Sequence, residues 1–176
     1  MRRVISTVVL MAAMSAIDTT RGAAAYLELP ADELSVSVDP KANFALFKTF
    51  AIRDRKINSD RPELDNRLFI KKLESMVRTG LLAKGLTEAG SGPDLLVDLV
   101  LVGEDINTTV RQPGSGMGPQ PFRLTAGTLM IDMKRPGDRD PVWRGVYRDD
   151  EQTGSKLVQK LPDDARRLID RYPKLR

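Results

Sequence analysis

The chain contains no cysteine and no histidine. Without cysteine there is no disulfide framework, no thiolate nucleophile and no thiolate metal site. Without histidine the commonest general base near neutral pH, the commonest metal ligand and the usual pH switch are all missing. Together the two absences argue against catalysis. Aromatic residues are sparse at 5%, with a single tryptophan. Charge of one sign is also lacking. Lys/Arg and Asp/Glu are interspersed, and the formal net charge is only +4 over 176 residues. That is no footprint for nucleic acid. With 41% hydrophobic residues the chain can bury a core without staples.

The N-terminus reads as an export signal. Arg2 and Arg3 precede an apolar run from Val4 to Ile17, and Ala23-Ala24-Ala25 offers a small-residue cleavage site. As a helix that run spans about 21 Å, short of the roughly 30 Å of bilayer hydrocarbon, so cleavage is expected over anchoring. Residues 1–25 are expected to be removed, leaving 26–176 as a single domain, periplasmic or secreted. Cleavage after Ala25 removes Arg2, Arg3, Arg21 and Asp18, so the formal charge falls from +4 to +2. With no cysteine in the chain, a lipid anchor on a processed cysteine is not expected.

Leu124 to Arg148 is the most legible stretch. Leu129, Ile131 and Met133 alternate with Thr128, Met130 and Asp132, the period of a strand. Pro136, Gly137, Asp138 and Asp140 supply turn chemistry. Val142, Trp143, Val146 and Tyr147 form a returning strand. Asp132 and Arg144 can pair across this hairpin as a surface pair, worth a few tenths to about 1 kcal/mol. Trp143 is expected to anchor the core, with a ligand platform as the weaker reading.

Earlier in the chain, Leu34, Val36 and Val38 alternate as a first strand, and Thr49 to Arg53 reads as a second. Arg55 to Arg61 reads as a loop. Asp60, Pro62 and Glu63 suggest a helix start, with a capping box, for a helix over Leu64 to Lys84. Phe69, Leu73, Met76, Val77 and Leu81 form its apolar face, and Gly85 stops it. Asp94 to Glu104 is a central strand, apolar on both faces except at Asp98, which needs a partner. Ile106 to Val110 can extend it. Pro162 with Asp163 and Asp164 reads as the start of a last helix ending near Tyr172.

Arg111 to Pro121 holds three prolines and three glycines and joins two strands as a mobile hairpin loop. It lacks the helix start and Gly-Lys-Ser/Thr ending of a phosphate loop. Asp149-Asp150-Glu151 lacks the spacing and turn glycine of a calcium loop, and reads as a solvated strand end. No cofactor or metal is expected. The order is strand, strand, helix, strand, strand, strand, helix (ββαβββα). It predicts an α+β fold, a mostly antiparallel sheet of about five strands with two helices packed on one face.

Four pieces in this order resemble a bacterial lipoprotein family built on domain of unknown function 4136. They are Val38 to Ile52, Leu81 to Leu99, Gly127 to Met133 with Val142 to Gly145, and the close of the last helix on Arg171-Tyr172-Pro173. The resemblance implies an exported, envelope-associated α+β domain without catalytic residues to carry over. Many members begin with a lipid-modified cysteine that this chain lacks.

Three functional readings follow. The first is a non-catalytic envelope domain that binds an unknown envelope protein or supports the envelope. The second is a small-ligand module using the groove beside the Gly/Pro loop, with Arg111 or Arg123. Asp132, Trp143 and Arg144 complete the candidate ligand or partner residues. The third is a hydrolase working with carboxylates alone, for which Asp98 and Asp132 are the strand-interior candidates.

Overall fold

The computed structural model describes residues 33–149 and 153–173. The expected export signal, residues 1–25, and Asp150 and Glu151 of the acidic run lie outside these residues. Among the described residues no helix is long and apolar enough to cross a membrane.

The central hairpin pairs as its alternation predicts. Strand β7 (Thr128–Lys134) runs antiparallel to β8 (Trp143–Arg148), with Leu129 opposite Tyr147 and Asp132 opposite Arg144. β1 (Leu34–Val38) adds antiparallel to the outer side of β8. On the other side β7 pairs antiparallel with β4 (Leu95–Val102). Next comes β2 (Thr49–Asn58), parallel to β4, and then the two-residue β3 (Thr87–Glu88), parallel to β2. The sheet therefore has six strands in the order β1-β8-β7-β4-β2-β3.

This corrects the expected mostly antiparallel sheet of about five strands. The sheet is mixed, because α1 (Arg67–Ala83) lies between β2 and β4. A strand, a helix and a returning strand make a crossover, and a crossover delivers the second strand parallel to the first. The near-continuous apolar run of β4 fits this central place, with the helices over one face and the hairpin of residues 106–124 over the far end of the other.

Four further boundaries differ from expectation. β2 does not stop at Arg53 but runs to Asn58, through a register shift between Ile52 and Asp54. The extra residue flips the phase of the alternation, so Arg55 to Asn58 looks like loop although it pairs with β4 as far as Val102. Helix α1 is capped by Asn66, whose Oδ1 accepts from Leu68 N at 2.8 Å, not by Asp60. The stretch before it is a separate turn that sinks Leu64 into the core. Ile106–Val110 does not extend β4. As β5 it forms its own two-stranded sheet with β6 (Gln120–Leu124). Finally, α2 starts at Gly154 and keeps Pro162 in its interior. Pro162 removes the donor to the preceding turn. The stripe of Leu157, Leu161, Ala165, Leu168 and Ile169, all fully buried, holds the helix in place regardless.

Both helices contribute to one core with the same face of the six-stranded sheet. Leu129, Ile131 and Met133 from β7 meet Val97, Leu99 and Leu101 from β4, Phe69 to Leu81 from α1 and Leu157 to Ile169 from α2. Trp143 is fully buried there, stacked edge-on against Tyr172 at 5.9 Å between ring centroids. Gly145, two residues on, makes room for it: a Cβ at that position would lie 2.5 Å from the indole. Gly85, with φ of 94°, ends α1 as expected, and Leu86 N donates back to Leu81 O.

A carboxylate latch aligns the starts of β2 and β4. Asp94 Oδ2 accepts from Lys48 N at 2.8 Å, Thr49 N at 2.9 Å and Thr49 Oγ1 at 2.9 Å. These donors, the Lys48 amide foremost, hold its pKa below the usual 3.8. A depressed carboxylate pKa gives stability that is present above the unfolded value and is lost as pH falls through the folded one. Replacing Asp94 with Ala is expected to cost about 1–3 kcal/mol at neutral pH. In urea titrations at stepped pH, the gap between the two proteins should close below pH 3.8. A gap that stays constant into strong acid would contradict the latch. Asp164 has the opposite sign: burial raises its pKa, so it opposes folding above its folded pKa and the cost is relieved as pH falls through it.

Candidate functional site

The helices cover one face of the sheet. The other face carries a row of charge that the period of the strands places there. Asp98 on β4 stands opposite Asp132 on β7, Asp132 opposite Arg144 on β8, and Arg144 opposite Ser37 on β1. Two carboxylates directly opposite on neighbouring strands repel. Each is answered by cations. Arg144 grips Asp132 with both ends of a fork, Nε to Oδ1 at 2.6 Å and Nη2 to Oδ2 at 2.7 Å. Asp98 takes Lys134 Nζ at 3.0 Å and Arg53 Nη2 at 3.3 Å. The ion pair expected for Asp98 is present. The pair expected for Asp132 and Arg144 is present too, but it is not a surface pair: both side chains are 7% exposed.

The β5–β6 hairpin packs over one end of this face. Val102 from β4 joins Val110, Phe122 and Leu124 in a second, smaller apolar cluster, with Val100 and Ile106 against it. Between the hairpin and the exposed part of the sheet lies a cleft of about 300 Å³. That is at the small end of the range for ligand sites. Asp98, Asp132 and Arg144 line it, with Lys56 from β2, Lys134 from the end of β7 and Arg139 from the β7–β8 turn. Its walls include Val100, Val110, Pro119 and Met130.

The candidate residues separate cleanly. Arg111, Asp132 and Arg144 come together at the cleft. Arg111 also reaches Asp140 at 3.2 Å, so the Gly/Pro loop is tied to the β7–β8 turn. Gly114 in the same loop sits against Asp39, where a Cβ would run into the carboxylate. Arg123 does not line the cleft; it pairs with Asp105 at 3.0 Å on the hairpin. Trp143 points into the core on the opposite face and is inaccessible as a ligand platform. Asp149 is not a solvated strand end: it is fully buried and meets Lys160 from α2 at 3.2 Å.

Lys56, Lys134 and Arg139 escaped the sequence reading. Lys56 falls in the part of β2 that the bulge disguises as loop. Continuing the alternation one residue out of phase would have found it. Arg139 sits among turn residues whose composition speaks only of the turn.

The chemistry open to the site is limited by its pairing. Both oxygens of Asp132 are engaged by Arg144, and Asp98 is shared between two cations. Asp98 and Asp132 stand side by side on neighbouring strands, whereas a carboxylate hydrolase holds its two acids on either side of the bond it breaks. Among the described residues no group of three or more acidic side chains is placed to hold a metal. What the cleft offers is a fixed pattern of donors on a rigid sheet.

Among solved structures, the chain is similar to a crystal structure of a DUF4136 family protein from Bacteroides thetaiotaomicron VPI-5482. The TM-score is 0.57 and the identity 16%, covering 81% of this chain and 96% of that one. It is also similar to a PDZ domain protein from Parabacteroides distasonis ATCC 8503, with TM-score 0.42 and 19% identity over 80% of this chain and 36% of that one. A PelC dodecamer from Paraburkholderia phytofirmans gives TM-score 0.40 and 13% identity, over 78% and 91% of the two chains. The first likeness concerns the fold alone. No curated protein matches the chain. The family model described as Domain of unknown function (DUF4136) matches residues 34–174, from β1 to beyond the end of α2. The chain therefore belongs to the DUF4136 family.

Proposed function

We propose that this protein is an exported, non-catalytic domain of the bacterial envelope that acts by binding, and that the charged cleft is its binding site. Export rests on the basic start, the apolar run from Val4 to Ile17 and the Ala23-Ala24-Ala25 site. Absence of catalysis rests on the missing histidine and cysteine and on the engagement of Asp98 and Asp132 in ion pairs. The observation that carries the binding reading is the cleft itself: concave, walled by the β5–β6 hairpin and floored by fixed charges. A cleft of this shape favours a small ligand over a flat protein surface as the occupant.

The experiment is a melting-temperature screen of the mature chain against metabolites. A ligand is expected to raise the melting temperature by mass action. Deleting Arg111 to Pro121 should abolish that rise, because the loop walls the cleft. A broad screen without a shift, or a shift that survives the deletion, contradicts the reading. Hydrolytic turnover that disappears in Asp98→Asn would contradict the non-catalytic part. For export, intact-mass analysis of the periplasmic or secreted protein should show a chain beginning at Tyr26.

A further inference from the structure

We propose that the cleft takes a small oxyanion-bearing molecule, a carboxylate or phosphate with a short apolar body, anchored on the Arg144 guanidinium between Lys56 and Arg139. This rests on the binding reading above and names its ligand class.

Arg144 is the first ground. Its Nε and Nη2 are spent on Asp132. Its third nitrogen, Nη1, is buried and has no hydrogen-bond acceptor among the described residues. A buried donor without an acceptor costs about 1–3 kcal/mol, more on a charged group. The fork to Asp132 fixes the guanidinium plane, so an oxyanion meeting Nη1 finds a donor already oriented. A planar, permanently charged guanidinium suits carboxylate and phosphate oxygens.

Charge balance is the second ground. Five cationic side chains line the cleft against two carboxylates. Arg144 and Lys134 serve those two carboxylates, and Arg111 serves Asp140. Lys56 and Arg139 make no ion pair with a described residue. Two uncompensated cations at a partly enclosed cleft raise the local concentration of anions. A cationic ligand would meet this surplus and find both carboxylates already engaged. Met130, Val100 and Val110 provide apolar contact for the rest of the molecule, and a volume near 300 Å³ keeps that molecule small.

Isothermal titration of the mature chain with three probes decides the matter: inorganic phosphate, hexanoate and hexylammonium. Saturable binding of phosphate or hexanoate is expected, and none of hexylammonium. Phosphate alone identifies a phosphate ligand; hexanoate, alone or more tightly bound, identifies a carboxylate with an apolar body. The double variant Lys56→Gln/Arg139→Gln should weaken anion binding about tenfold or more without lowering the melting temperature of the free protein. Arg123→Gln, on the hairpin away from the cleft, should leave it unchanged. Arg144→Lys should abolish binding; if that variant fails to fold, the double variant still decides. Failure of both anions to saturate, unchanged affinity in the double variant, or binding of hexylammonium overturns the proposal. If a neutral or cationic ligand from the screen binds and is lost on deleting the loop, the oxyanion assignment falls while the binding function stands. If no ligand binds at all, both fall.

Discussion

Trp143→Ala lowers the stability of the protein by about 3–5 kcal/mol, the usual cost of emptying a large buried aromatic site. The indole is fully buried where β8, α2 and Tyr172 meet. It begins a run of edge-on rings: Trp143 on Tyr172, Tyr172 on Phe44 at 5.6 Å, and Phe44 on Phe47 at 5.7 Å. Losing the first ring leaves a cavity beside Gly145, which has no side chain to collapse into it. Trp143→Phe should cost less. It keeps an aromatic ring and removes an Nε1–H that has no acceptor in the core. Because this is the only tryptophan, unfolding is followed by far-ultraviolet circular dichroism in urea. A loss below 1 kcal/mol in the Ala variant would mean that the ring does not hold the helices to the sheet.

Asp132→Ala is the second large effect, again about 3–5 kcal/mol. The reason differs. The pair is as buried as many core side chains, at 7% exposure for each partner. Removing the carboxylate leaves the largely buried Arg144 guanidinium without the partner that balances its charge. The apolar double replacement Asp132→Leu/Arg144→Met should recover most of the loss, because desolvating an ion pair offsets much of its attraction. Matched urea titrations of the single and double variants measure this. A single substitution costing only a few tenths of a kcal/mol would make the pair a surface contact. A double variant as unstable as the single would deny that the stranded charge is the cause.

The parts of this structure that were legible in sequence are those set by local alternation. β7 and β8 read correctly because one face is apolar and the turn between them is rich in Pro, Gly and Asp. Because side chains alternate in facing along both strands, Asp132 and Arg144 come within reach of one another across the hairpin. The stop of α1 at Gly85 was equally local. What failed was either non-local or out of phase. The parallel pairing of β2 with β4 depends on where α1 crosses, and no residue in either strand encodes the direction of its neighbour. The bulge at Arg53 shifted the alternation of β2, and Lys56 went unseen with it. Gly154 and Pro162 are poor helix residues, so local propensity starts α2 eight residues late. Its early turns are held by packing of Leu157 and Leu161, and tertiary burial outweighs local propensity. The cleft was half legible for the same reasons: its floor follows strand periodicity, while its rim comes from the disguised part of β2 and from a turn.

The proposed binding site makes the face of the sheet away from the helices the working face. A nuclear magnetic resonance titration of isotopically labelled mature chain with inorganic phosphate and with hexanoate, observing backbone amides and arginine side chains, tests it most directly. Saturable shifts concentrated at Lys56, Met130, Asp132, Arg139 and the Arg144 guanidinium are the predicted result. Shifts confined to the helix side of the molecule, or none at any of these five positions, would contradict it.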